Sequence, residues 1–512
     1  MTADLVLAID QGTSSTRAIA YDAAWTPIAT ASRRLSVGHP QPGWAEQDPD
    51  EILGSVVDTV ADVLTAVGGP GRIAAAGLAN QGETVVAWDA DSLEPLAPAV
   101  VWHCRRSQDI VDRVAAAGHG AEIRARTGLP LDPYFSAGKI RWLLEEVPAV
   151  ASASGRGSLR VGTVDAWLTA RLGAEPRTDA STASRTQLFA LESLAWDDDL
   201  LRWWDVPRAA LPGVGPSIGE LGTLSHARWA GAVPLRAMLC DQQAALLGHG
   251  GQRQGTIKAT YGTGVFVLAT AGEAVPKPLP GILTTVGWTG ADGRTTYALD
   301  GGVFSAGALL DWLHAGVGLI DEPAGLDELA SGAADAAGVR ILPALSGLGA
   351  PWWEPEARAV IAGLSTATGR SNIARAAIDA IAHRVADIVE AMSPGVDRGP
   401  ARVRVDGGLT ASGLLVQREA DLLGCVIEVA AEPESTALGV ALMAAVGAGR
   451  LSQREAEAVP RTARRVEPSL APADRELQRD EWRAFVAATA ALERRTTPSP
   501  VAPSLAAISG PA

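Results

Sequence analysis

The chain has 512 residues, 47% hydrophobic and 20% charged, which at roughly 100–200 residues per domain is material for two large domains or three small ones. Asp and Glu outnumber Lys and Arg by 58 to 43, and a net charge of −15 argues against nucleic acid and anionic membranes as partners. The three cysteines, Cys104, Cys240 and Cys425, lie far apart without CxxC spacing, so neither a zinc site nor a disulfide framework is expected.

Met1 to Asp10 carries two Asp and no Lys or Arg, unlike a secretory signal. The longest apolar run, Ala437 to Gly449, is too short to span a bilayer. No membrane insertion is expected, and the location expected is cytoplasmic. Lysine occurs only at 139, 258 and 277, and the single Gly-Lys step, Gly138-Lys139, is followed by Ile140. A Walker A loop needs Ser or Thr there, so the chain has no P-loop.

In chain order, residues 5–10 (LVLAID) read as an apolar strand ending in an acid. A Gly/Thr/Ser turn follows at 11–15, then strands at 16–22 and 27–34. Asp48-Pro49-Asp50-Glu51 predicts a helix start, with an N-cap, a first-turn proline and acids at the positive end. A strand at 73–79 precedes Asn80-Gln81-Gly82-Glu83, and a strand at 235–240 precedes a helix opening at Asp241-Gln242-Gln243. The strand–turn–strand grammar returns at 255–269, followed by strands at 282–288 and 295–300 and a helix over 303–315. Helix 371–392, strand 401–405, helix 411–423, strand 425–430 and helix 435–447 complete the pattern. Two α/β units with a seam near 245–255 are the architecture this predicts. From about 496 the chain is rich in Pro, Ser and Ala without charge, the composition of a disordered tail.

An acid at a strand end before a small-residue turn suits a metal–phosphate site. Asp10 can face Mg²⁺, while Gly12, Thr13, Ser14 and Ser15 turn N–H and hydroxyl groups toward phosphate oxygens beside Arg17. An ordinary β-hairpin turn explains the same residues. The second turn, Thr260-Tyr261-Gly262-Thr263-Gly264, favours the phosphate reading, since two such turns can clamp one polyphosphate across a cleft. Asp406-Gly407-Gly408 adds a backbone that a flat base can approach closely. Asp241 can take a proton from a hydroxyl nucleophile or serve as the N-cap of its helix. Seven histidines show no metal-ligand spacing.

The ordered set AIDQGTSSTRA (8–18), GWAEQDP (43–49), VVWHCRR (100–106), CDQQAALLG (240–248), ATYGTGVF (259–266) and RVDGG (404–408) resembles the FGGY carbohydrate kinases, and most of all their glycerol-phosphorylating members. The resemblance runs from about residue 5 to about 490. It implies an α/β fold with two ribonuclease-H-like domains of the actin-like ATPase group, a nucleotide cleft between them, and ATP and Mg²⁺ as cofactors. Expected boundaries are 1–248, 249–490 and a disordered 491–512. The resemblance places metal binding on Asp10, phosphate binding on Thr13, Ser14, Ser15, Arg17, Gly262 and Thr263, and adenosine binding on Gly307, Asp311, Gly408 and Ser412. It places a small polyol against Gly82, Glu83, Trp102, Tyr134, Asp241, Gln242 and Phe266, with Asp241 as catalytic base. A homo-oligomer is implied by the resemblance alone.

Three departures qualify these expectations. The family's glycerol-specific members carry Arg before the pocket Glu, where this chain has Gly82. The change opens a place for a longer polyol or ketose, or for Arg105 or Arg106 to swing in. Ser412-Gly413 replaces an Asn pair, and Asp311 a Gln, on the adenine side. No match to the Gly/Lys-rich inhibitory loop falls near 222–236, and the surroundings of His226 do not match a phosphorylation loop, so neither regulation is expected. An actin-like ATPase switch is the reading from a different functional class, and the polyol pocket set argues against it.

Overall fold

The computed structural model describes residues 3–396 and 402–496. Two mixed sheets dominate it, and their strand orders repeat. In the first, Pro27–Arg34, Ser15–Tyr21 and Leu5–Gln11 form an antiparallel meander, and Ile73–Asn80 and Gly231–Cys240 continue parallel to Leu5–Gln11. In the second, Thr295–Val303, Val265–Gly272 and Ile257–Tyr261 form the meander, continued in parallel by Arg402–Gly407 and Val426–Ala430. The duplication expected from the strand–turn–strand grammar is therefore present as topology.

Local signals explain most element ends. Asp48 caps helix Pro49–Val67 by accepting from the Asp50 N–H at 2.9 Å, and Gly68 ends it at φ 87°. The helix buries Ile52, Val56, Val60, Val63 and Leu64 against the first sheet, as period 3.6 requires. A smaller sheet of Glu46–Gln47, Ala99–Val100, Val85–Asp89 and Leu159–Thr163, with helices Gln108–Ala116 and Ser136–Glu146, carries the walls of the site.

Several expected boundaries move. Val303 ends strand Thr295–Val303, so the helix predicted from 303 begins at Gly307, running to Asp311 before a wider turn over Trp312–Gly316. A tight turn over Gly408–Ala411 delays the next helix to Gly413. The terminal helix spans Pro472–Thr496, so the tail expected to be disordered from 491 is helical to 496; its remainder lies outside the described residues. Asp241 is not an N-cap: Cys240 holds that position and Asp241 is the first helical residue.

The two halves interlock at one helix pair. Helix Asp241–Gly248 leaves the first sheet, yet Leu246 packs with Leu268 and Ala298 of the second. Helix Ser435–Gly447 packs Ala437, Val440, Ala441 and Ala444 against Val6, Ala8, Ala75 and Leu239 of the first. Where they cross the backbones touch: a Cβ on Gly439 would lie 1.9 Å from the Ala244 carbonyl oxygen, and one on Gly248 1.9 Å from that of Ser435. No helix among the described residues is long and apolar enough to cross a membrane.

Candidate active site

In open α/β sheets ligands gather at the carboxyl ends of parallel strands. Here Leu5–Gln11, Ile73–Asn80 and Gly231–Cys240 end beside one cavity of about 200 Å³ lined by Thr13, Gln81, Gly82, Glu83, Trp102, Tyr134, Arg185, Cys240, Asp241, Gln242, Gln243, Phe266 and Asp300. All of Gly82, Glu83, Trp102, Tyr134, Asp241, Gln242 and Phe266, expected to hold a polyol, are brought together.

The walls are aromatic. Trp102 stands edge-on to Tyr134 at 5.4 Å and to Phe266 at 6.4 Å, ring centre to ring centre. Its indole N–H donates to Thr13 Oγ1 at 2.9 Å, which ties this wall to the turn at 11–15. Thr13 in turn donates to Gln81 Oε1 at 3.2 Å, and Gln81 donates to Gln47 Oε1 at 2.9 Å. Glu83 adopts a left-handed φ of 53°, the kind of backbone strain that collects where function fixes geometry.

Three carboxylates line the same cavity. Burial raises the Asp241 carboxyl above its ordinary value, while Lys258 and Arg185 pull it back; Asp241 Oδ1 accepts from the Gln242 N–H at 2.6 Å. Burial also raises Glu83, opposed by Arg185, whose Nε donates to Glu83 Oε1 at 2.7 Å. Arg185 Nη1 lies 2.8 Å from Asp300 Oδ2. Lys258, fully buried, donates from Nζ to Gln242 Oε1 at 2.7 Å and Thr260 Oγ1 at 3.1 Å, joining helix Asp241–Gly248 to the second sheet.

Asp10, next to last in strand Leu5–Gln11, has a carboxyl pushed up to about 7, first by burial and then by the charge of Asp241. An acid whose proton affinity is raised by a second acid nearby suits a divalent cation, which would relieve that repulsion. The Gly12 N–H closes the first turn on the Ser15 carbonyl at 3.0 Å, leaving Ser14 at the exposed tip. Arg17 is turned elsewhere: its guanidinium pairs with Glu434, just before helix Ser435–Gly447.

The second turn carries Gly262 and Thr263 on its exposed side. The Gly307 N–H donates to the Gly262 carbonyl at 3.1 Å and that of Ala308 to Thr263 at 3.0 Å, so the short helix Gly307–Asp311 docks onto this turn. Gly307 is required, since a Cβ there would lie 2.6 Å from the Gly262 oxygen. Asp311 is exposed one turn further on. Gly408 faces open space, while Ser412 caps helix Gly413–Leu423 through the Leu415 N–H at 3.0 Å and also bonds Asp327. The Ser412 hydroxyl is thus already committed.

Gly82 does not simply leave room. A Cβ there would sit 2.8 Å from Cys240 Sγ, so the thiol occupies the space through which a side chain at 82 would leave the backbone. Neither Arg105 nor Arg106 swings in. Arg105 is exposed and bonds Gln108, while Arg106 stacks 3.9 Å over Trp44 and pairs with Glu46 at 2.7 Å. The residues that sequence reasoning missed are Arg185, Asp300, Lys258 and Cys240. Each lies within a strand or just after a four-residue helix, with no local pattern to mark it.

Paired ribonuclease-H-like sheets, each with a small-residue hairpin turn, and an acid-floored cavity between them define a nucleotide-dependent phosphotransferase of the actin-like ATPase type. Residues 5–248 match the N-terminal domain, and 257–448 the C-terminal domain, of the FGGY family of carbohydrate kinases. The chain belongs to this family and is an ATP-dependent carbohydrate kinase. It is 43% identical over 483 residues to a glycerol kinase of Dechloromonas aromatica, covering 93% of this chain and 96% of that one. To glycerol kinase 1 of Pseudomonas aeruginosa it is 42% identical over 447 residues, 87% and 90% of the two chains. Among solved structures, the glycerol kinase of Plasmodium falciparum with ADP superposes with a TM-score of 0.89 at 29% identity, covering 95% of this chain and 98% of that one. Xylulose kinase of Rhodospirillum rubrum follows at 0.83 and 26%, covering 96% and 99%.

Proposed function

We propose that the chain transfers the γ-phosphoryl group of ATP to a terminal hydroxyl of glycerol, giving sn-glycerol 3-phosphate. The observation that carries this reading is the small aromatic-walled cavity with Asp241 on its floor, joined to the first phosphate turn through the Trp102–Thr13 bond. Asp241 accepts the proton of the attacking hydroxyl. A bond forms between that oxygen and the γ-phosphorus as the bond to the β–γ bridging oxygen breaks, and ADP leaves with the electron pair. Asp10 would hold Mg²⁺, which when bound neutralises phosphate charge. The N–H groups of the turns at 12–15 and 262–264 stabilise charge on the transferring group. Trp102 and Phe266 cover the carbon chain, and Glu83 and Gln242 read hydroxyls.

The crowding of Gly82 by Cys240 supports a three-carbon acceptor over a longer one. The test is ADP release with Mg-ATP across glycerol, erythritol, ribitol, xylitol, dihydroxyacetone and xylulose. Glycerol is expected to lead in kcat/KM. A longer polyol or a ketose winning by tenfold overturns glycerol as substrate, and ADP release independent of any acceptor overturns the kinase reading in favour of a nucleotide switch.

A further inference from the structure

Within the cavity one group has no assigned task. Arg185 is only 4% exposed, yet it lines the cavity and is the one cation that does so among the described residues. Its backbone is fixed tightly. The Arg185 N–H closes on the Thr182 carbonyl at 3.0 Å, at the end of a helix capped by Asp179. The neighbouring Ser184 hydroxyl meets Thr285 Oγ1 at 2.7 Å and accepts from the Val286 N–H at 3.1 Å, anchoring the segment to the second sheet. The guanidinium lies between Glu83 of the first half and Asp300 of the second, above the rings of Phe135 at 5.6 Å and Tyr134 at 6.0 Å.

A guanidinium has five N–H donors. Nε is taken by Glu83. Nη1 is close enough to Asp300 for an ion pair, but finds no acceptor along its N–H directions. A buried cationic donor without a hydrogen-bond acceptor is unfavourable, and the side chain that carries it lines the cavity. An alcohol both donates and accepts. The Arg185–Glu83 pair offers it a donor and an acceptor side by side.

Resting on the glycerol reading above, we infer that Arg185 is the guanidinium that reads an acceptor hydroxyl in this pocket, supplying from the far wall the donor that Gly82 cannot. Gly82 has no side chain, and a Cβ added there would crowd Cys240 Sγ at 2.8 Å. Arg105 and Arg106 are engaged elsewhere. Arg185 thereby sets specificity: it favours acceptors with a hydroxyl at its position over those with hydrogen there. This follows from the general asymmetry by which a site built to bond a hydroxyl rejects its deoxy analogue.

The test is a cycle between residue and hydroxyl. Arg185→Gln and Arg185→Lys are compared with the wild type for kcat/KM on glycerol, 1,2-propanediol and 1,3-propanediol. Arg185→Gln is expected to lose about 10–100-fold on glycerol, the range for a bond to a charged group. On the diol lacking the recognised hydroxyl it should change by about threefold or less, and Arg185→Lys should recover part of the glycerol rate. A merely structural role predicts an equal proportional loss on all three acceptors. That result, or no loss on glycerol, overturns the assignment. If Arg185→Gln fails to fold, a crystal structure of the wild type with glycerol decides: a guanidinium nitrogen within about 3.2 Å of a glycerol oxygen supports the assignment, and none within about 4 Å refutes it. Failure of the underlying kinase reading is separately visible, as wild-type ADP release that no polyol stimulates.

Discussion

Gly82→Ala is the smallest change that tests how the pocket was re-cut. Gly82 is not among the residues with positive φ, so alanine meets no backbone penalty and the whole effect is steric. Its Cβ would stand 2.8 Å from Cys240 Sγ, against a favourable separation of about 3.5–4.0 Å for non-bonded heavy atoms. Cys240 has little freedom to yield. It is 3% exposed, its N–H is bonded to Ser181 Oγ at 3.0 Å, and the next residue is Asp241. Overpacking of this size costs about 1–3 kcal/mol, and displacement passed to Asp241 is expected to cost about tenfold in kcat/KM. Cys240→Ala removes the obstructing atom at a cost of about 1 kcal/mol. The double variant is then expected to be more stable and more active than Gly82→Ala alone, with a coupling of about 1–2 kcal/mol. Urea unfolding and kcat/KM on glycerol give the two cycles. Additivity to within about 0.5 kcal/mol in both would refute the contact.

Asp241→Asn is expected to lower kcat by about 10²–10⁴-fold, the range for removing a general base, while ADP affinity measured by calorimetry stays within about threefold. Unchanged turnover would remove Asp241 as the base. Gly439→Ala drives a Cβ into the Ala244 carbonyl at the helix crossing and is expected to destabilise by about 3 kcal/mol or more, read as a fall in melting temperature; a neutral effect would mean the crossing is loose. Burial pushes the Glu419 carboxyl from 4.5 up to about 7, although the Tyr261 hydroxyl donates to it. The folded state therefore holds this proton more tightly than the unfolded chain. Its contribution is fully present below pH 4.5 and is lost as the pH rises through about 7. Glu419→Gln should match the wild type in acid and exceed it above neutrality by up to about 3 kcal/mol. A stability difference that does not vary with pH would count against this account.

What the sequence made legible follows from where local rules act. The hairpin turns at 11–15 and 262–264, the Asp48 cap and the strand ending at Cys240 are marked by residues whose local preferences decide the backbone. Of these, Thr13 of the first turn and Cys240 line the cavity, together with Asp241. The helix crossing was not legible, because Gly248 and Gly439 are small for the sake of partners nearly two hundred residues away, and small residues in an apolar helix look ordinary. The same cause hid Arg185, while Arg105 and Arg106 offered themselves by sequence proximity. Arg105 and Arg106 lie close in sequence to Trp102, but their partners, Gln108 for the first and Glu46 with the Trp44 ring for the second, hold them away. Arg185 reaches the cavity only because Ser184 is stitched to Thr285 and Asp300 arrives from the second sheet. A charge whose position depends on two sheets closing together has no one-dimensional signature. Within this pocket, the departure at Gly82 is therefore best read together with Cys240, whose thiol a Cβ there would meet at 2.8 Å, and with Arg185, the guanidinium we infer to meet the same chemical need from another element.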